Sequence, residues 1–184
     1  MGNAAPVIVE QPQPVAAGSA PDARSPRLVT ARLLAIAAAF LGVAYATVSL
    51  VWGLGGSWLL DTVGGELAIG GRTGATLIVL ALWAAIVLKL IASAIPILAV
   101  SPAVKGKLRK HIRLVCGVEA IVLTTYGLVL TMAGVLVHFG VIQAAADADH
   151  RAIAWHAFLW DPWFAAWGIL VTATLFLSRR RSVG

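Results

Sequence analysis

KGKLRKHIRLVCGVEAIVLTTYGLVLTMAGVLV, residues 105–137, decides how this chain is read. Five basic residues (Lys105, Lys107, Arg109, Lys110 and Arg113) crowd its start. From Leu114 to Val137 a single charge, Glu119, interrupts an otherwise apolar run. A run of this length matches the ~20 residues that carry a helix across a ~30 Å hydrocarbon core. Lipid supplies no partners for backbone amides, so a span must close its own hydrogen bonds as a helix. The basic front end then marks the side that faces the cytoplasm.

Three further runs of the same kind lie at residues 33–52, 75–98 and 158–177. The whole composition agrees with them. Of 184 residues, 60% are hydrophobic and 12% charged, and the mean hydropathy is +0.90. A soluble domain carries about a quarter charged residues, so this chain has too little polar material to cover a water-facing globule. Ala44-Tyr45-Ala46 has the small-x-small form of a signal-peptide cleavage site. The apolar run continues past it to Val51 behind a long polar leader, so the first helix is expected to be retained.

Orientation follows from the basic residues. The connection at 105–113, the N-terminal Arg24, Arg27 and Arg32, and the C-terminal Arg179, Arg180 and Arg181 hold eleven of the 14 Lys and Arg; the other two connections hold Arg72 and Arg151. That asymmetry predicts an all-α, up-down-up-down bundle of four transmembrane helices with both termini cytoplasmic. Residues 28–181 form this membrane domain. Residues 1–27, with Pro6, Pro12, Pro14, Pro21 and Pro26 and no apolar period, read as a disordered tail. The net charge of +6 does not indicate nucleic acid, because the charges flank apolar runs instead of lining one polar face. They act as topology signals with some attraction to anionic headgroups. The single Cys116 excludes an internal disulfide and a cysteine-based metal cluster. No cofactor is implied.

Small residues predict how the spans approach one another. Ala38, Gly42 and Ala46 repeat on the first span, and Gly127, Thr131 and Gly134 share a face of the third. Such spacing lets backbones come close in lipid, within one chain or between two copies.

Two charges fall inside the spans. Lys89 shares a face with Ala81, Ala85 and Ser93, and Glu119 lies at a similar depth on the next span. An isolated charge in hydrocarbon is costly, so the two are expected to form an intramembrane ion pair. The pair is read as structural, with Lys89 snorkelling to the interface as one variant and a proton or ion relay as the functional alternative. Pro96 is expected to kink the second span near them.

The outer side carries a different texture. WGLGGSWLLDTVGG at 52–65 sets glycine pairs around a short apolar stretch that is too short to span, so it is expected to be interfacial or shallowly re-entrant. WHAFLWDPWF at 155–164 opens the fourth span. There Asp161-Pro162 either starts a helix or sits in a continuous one that bends at the proline. Five tryptophans (Trp52, Trp58, Trp155, Trp160 and Trp163) gather at this boundary, and none of the seven in the chain lies at the cytoplasmic one. Indole favours headgroup depth on both sides, so the one-sided set suggests an aromatic-lined outer pocket. Trp52, Trp58, Trp160 and Trp163 would wall it, and Asp61, His138, His156 and Asp161 would orient a ligand. His156 and Asp161 are the candidates for any acid/base chemistry, although no reaction is assigned. No histidine pair stands at i, i+4, so metal ligation by His138 and His156 is not expected.

The stretches at 52–65 and 159–164 also resemble those of a bacterial family of four-helix membrane proteins classed as a domain of unknown function. The resemblance spans about residues 30 to 178. It implies a shared fold and a bacterial plasma membrane, and it brings no activity with it. Function therefore rests on the residues. The first reading is a protein that holds a lipid-like or hydrophobic small molecule in the outer pocket. The second is a transporter or accessory subunit using Lys89 and Glu119. The third is a structural protein contacting itself, membrane lipids or a membrane partner, with no role for nucleic acid.

Overall fold

The computed structural model describes residues 26–65, 69–70 and 76–179. They form an all-α fold, with no strand among the described residues. Three long helices come first: α1 (Pro26–Gly53), α2 (Thr76–Val100) and α3 (Gly106–His138). A short α4 (His150–Trp155) then runs through a π turn (His156–Trp160) into α5 (Asp161–Leu177). Among the described residues of the connection after α1, Leu60–Thr62 form a 3-10 turn.

With 28, 25 and 33 residues, α1, α2 and α3 are each long and apolar enough to cross a membrane. α5 alone has 17 residues, short of the ~20 of a full crossing, and α4 with the π turn extends the same helical stretch back to His150. α1 begins nearly two turns before the apolar run does. Pro26 suits a first helical position, where a missing N–H removes nothing. Arg27, assigned by sequence to the tail, is therefore helical, and the rest of that expectation (residues 1–25) lies outside the described residues.

α1 lies between α2 and α5, α3 packs along α5, and α2 meets α3 over a smaller area. Ala31, Ala35, Ala38, Gly42 and Ala46 are buried on α1, so the small-residue face serves packing within the chain. On α3, a Cβ at Gly127 would meet the backbone nitrogen of Ala165 and lie 2.7 Å from its Cα. On α5, a Cβ at Gly168 would meet the backbone nitrogen of Thr124 and lie 2.9 Å from the carbonyl carbon of Leu123. These reciprocal glycines let two backbones touch, which is how helices gain van der Waals contact where no water drives them together.

α2 remains helical through Pro96. The proline lacks an N–H, so the Ala92 carbonyl loses its usual donor without breaking the helix.

Two apolar clusters fill the interior. One holds Ala38, Ala99, Cys116, Ala120, Trp167 and Val171. The other, nearer the C-terminal end of α1, holds Tyr45, Val48, Trp52, Leu60, Leu82 and Trp160.

Candidate functional site

Residues 54–65, after α1, turn back sharply, and their local chemistry explains the turn. Gly55, Gly64 and Gly65 have φ of 89°, 65° and 59°, values that glycine adopts without a Cβ penalty. Gly64 also has no room for a side chain, since a Cβ there would sit 2.7 Å from that of Ala152. Leu59 takes φ 59° as well, a strained choice for a branched side chain. It delivers Leu60 and Thr62, each 1% exposed, into the core while Leu54 and Trp58 stay outside. The segment is thus folded against the ends of the helices.

Hydrogen bonds hold it there. Trp52 Nε1 donates to the Trp58 carbonyl at 2.6 Å. Trp160 Nε1 donates to Thr62 Oγ1 at 3.1 Å, and that hydroxyl donates in turn to the Leu59 carbonyl at 2.6 Å. An exposed ion pair, Arg151 Nη2 to Asp61 Oδ2 at 2.9 Å, ties α4 to the 3-10 turn and adds little stability on its own.

The π turn builds a second polar pair in this region. On an α-helix, residues five apart point about 140° away from each other. The wider turn uses i→i+5 hydrogen bonding, and the amide of Asp161 accordingly donates to the His156 carbonyl. His156 and Asp161 are thereby stacked on one face, with Nδ1 to Oδ1 at 3.2 Å. Nε2 faces the Val63 carbonyl at 3.3 Å. Both ring nitrogens thus face oxygen atoms, which fixes the plane of the imidazole. The His156 side chain is 39% exposed and that of Asp161 only 5%. The ring is therefore held between a buried carboxylate and a backbone carbonyl, with part of its edge open to the groove.

His156 and Asp161 border an open groove of about 400 Å³. Its walls are the 63–65 loop, α4, and a face of α3 that includes Leu130, Ala133, Gly134 and Val137. Asp149 also lies on it, with Oδ1 accepting from the Arg151 and Ala152 amides at 3.0 Å as the cap of α4.

No tryptophan lines this groove, and the tryptophans expected to wall an outer pocket lie elsewhere. Trp52 and Trp160 are 4% and 1% exposed, and Trp58 is 63% exposed. The aromatic residues pack on one another instead. Tyr45 stacks with Trp160 and Trp163 at 5.6 and 5.5 Å and meets Phe164 edge-on at 4.8 Å. Trp52 meets Trp160 edge-on at 5.7 Å, and Trp163 Nε1 reaches the Leu41 carbonyl at 3.1 Å. Stacked and edge-on pairs each contribute about 0.5–1.5 kcal/mol beyond burial. Tyr45, central to this cluster, was not singled out by sequence. Its signal was an aromatic following the small residues Ala38 and Gly42 on α1.

His138 is not brought to His156; its ring meets Phe139 and Phe158 edge-on at 5.3 and 5.1 Å. Among the described residues, no three His, Cys, Asp or Glu side chains are grouped to hold a metal.

The expected Lys89–Glu119 ion pair is also not formed. Lys89 Nζ donates to the buried Ser49 Oγ at 2.6 Å and lies 3.9 Å from the centre of the Tyr45 ring, a favourable place for a desolvated cation. Lys89 faces α1, where α2 packs most closely, whereas Glu119 belongs to α3, which α2 meets less. Both Glu119 oxygens are buried without a hydrogen-bond partner. An ionised carboxylate with neither donor nor counter-ion is costly there. Glu119→Met, which keeps the volume and removes both oxygens, is expected to stabilise the protein by about 1–3 kcal/mol. Thermal unfolding in detergent checks this, and a lowered midpoint would show that Glu119 works with a partner.

These features define an all-α protein whose helices suit a membrane and whose one rim is closed by an aromatic clasp. The chain belongs to the family described as "Protein of unknown function (DUF3995)", which matches residues 41–171. No curated protein and no solved structure matches it.

Proposed function

We propose that this is an integral cell-membrane protein of four spans, with both termini cytoplasmic, that binds a hydrophobic, lipid-like small molecule in the groove beside His156. The fourth span would be the helix from the π turn through α5. Eleven of 14 Lys and Arg, placed at the termini and the 105–113 connection, support the orientation. α3, at 33 residues and about 50 Å, is longer than a ~30 Å core. Its basic first turns would then stand in the cytoplasmic headgroup layer.

The observation that carries the binding role is the His156–Asp161 pair on the rim of a groove whose α3 wall is apolar. An apolar wall with a few fixed polar groups is the ordinary make-up of a small-molecule site. The imidazole edge would meet the polar end of the ligand, and α3 its apolar body. Ala133→Trp tests this, because Ala133 is exposed on the groove wall and does not hold the clasp together. Native mass spectrometry of the purified full chain is expected to show a retained small molecule. The substitution should lower its occupancy by about tenfold, or ~1.4 kcal/mol. Equal retention by wild type and variant would refute the groove as the site.

A further inference from the structure

At the end of the helices opposite His156, a cavity of about 340 Å³ is lined by Arg32 of α1, Lys105 before α3, Arg109 of α3 and Ser178 after α5. A second cavity of about 460 Å³ shares Arg109 and Ser178 and adds Arg113 and Arg179. Five cations from separate parts of the chain thus converge on one hydroxyl, and among the described residues no acid lines either cavity. Arg113 is committed to the fold: it donates to Ser178 Oγ at 2.9 Å and to the Leu175 carbonyl at 3.3 Å, closing the C-terminal end of α5. The side chains of Arg32, Lys105 and Arg109 make no hydrogen bond or ion pair with any described residue. Gathered like charges without an anion repel one another.

An apolar groove of about 230 Å³ opens beside the first cavity. It shares Arg32, Val100 and Pro102 with it and runs between α1 and α2 past Ala35, Ile36 and Ile97. A basic pocket continuous with an apolar channel matches an amphiphile with an anionic head. We propose that this end of the protein is a binding site for one anionic phospholipid. Its phosphate would sit among Arg32, Lys105 and Arg109, and an acyl chain would lie along Ile36 and Ile97. Guanidinium groups suit phosphate because their paired N–H donors match its oxygens. A general attraction of basic loops to membranes does not require this geometry. Lys107 and Lys110 belong to the same basic stretch, and neither lines the cavities.

That contrast supplies the test. The delipidated full chain is titrated in detergent with phosphatidylglycerol, phosphatidylcholine or inorganic phosphate and observed by native mass spectrometry. Arg32→Gln with Lys105→Gln is compared with Lys107→Gln with Lys110→Gln; each pair removes two charges from the same end. All four side chains are exposed, and unchanged melting of both variants verifies the fold. Phosphatidylglycerol is expected to bind one per chain. Its affinity should fall about tenfold or more in the first variant and less than about twofold in the second. Ile36→Trp, which obstructs the channel, should weaken phosphatidylglycerol as well. Equal losses in the two charge variants would reduce the site to surface charge and overturn the proposal. Equal binding of phosphatidylcholine would overturn the requirement for an anionic head. Displacement of phosphatidylglycerol by equimolar inorganic phosphate would assign the pocket to a free anion. None of these results depends on the groove at His156.

Discussion

Gly127→Val is expected to prevent α3 from docking on α5 and to leave little folded protein after extraction into detergent. The new side chain would have to occupy space held by the backbone of Ala165 and by the Asp161 carbonyl, 2.8 Å from a Cβ. A flexible side chain can swing aside, but a helix backbone can move only as a whole. Overpacking costs are about 1–3 kcal/mol where side chains yield, and a backbone obstruction belongs at or above the top of that range. Gly117→Val on the same helix provides the comparison, because a Cβ there meets nothing within 4 Å. Size-exclusion profiles and thermal midpoints of the two variants check the expectation. Equal behaviour would mean that α3 and α5 do not rely on backbone contact.

Trp160→Ala is expected to have the second large effect. The indole is 1% exposed, stacks on Tyr45, meets Trp52 edge-on and donates to Thr62. Removing it should cost about 3–5 kcal/mol. The damage should also be local in kind. Thr62 loses its donor, and the segment at 59–65 loses the surface it lies on. Hydrogen exchange there should accelerate well before exchange in α2. Trp160→Phe, which keeps an aromatic ring and drops the N–H, should cost only the ~1 kcal/mol of a hydrogen bond together with some packing. Uniform acceleration along the whole chain would show that the clasp and the helices unfold as one unit.

The contrast between these two sites shows what could be read from the chain beforehand. Helical spans are written directly in apolar runs, and their small faces in the spacing of Ala38, Gly42 and Ala46. Depth along a helix was therefore legible. Direction around its axis was not. Lys89 and Glu119 were matched for depth, yet Lys89 turns toward Ser49 and Tyr45 on α1 while Glu119 stays without a partner. The tryptophans likewise share one end of the helices, but a list of rings at one level does not say whether they surround space or fill it. Tyr45 fills it. The neighbourhood of His156 and Asp161 was anticipated without its cause. Five residues apart on an ordinary helix, they would have faced different directions. The cue was Pro162, whose ring crowds the carbonyl four residues before it, at Phe158 within the π turn.

The π turn has a consequence for chain length. An α-helical segment ordinarily tolerates a conservative exchange better than a deletion. Between residues 156 and 160 the count itself carries information. Five residues here make one turn where an α-helix uses 3.6. Removing one of them and closing an ordinary α turn would leave the two flanks within about 40° of their present directions. Keeping all five and relaxing them to α geometry would instead turn the flanks apart by about 140°. Trp163 would then leave Leu41, Gly168 would leave Thr124, and His156 would lose Asp161, although no residue had been changed. The wide turn absorbs one extra residue and keeps the rim in phase with the helix beneath it, so this stretch can shed a residue more readily than it can lose its width.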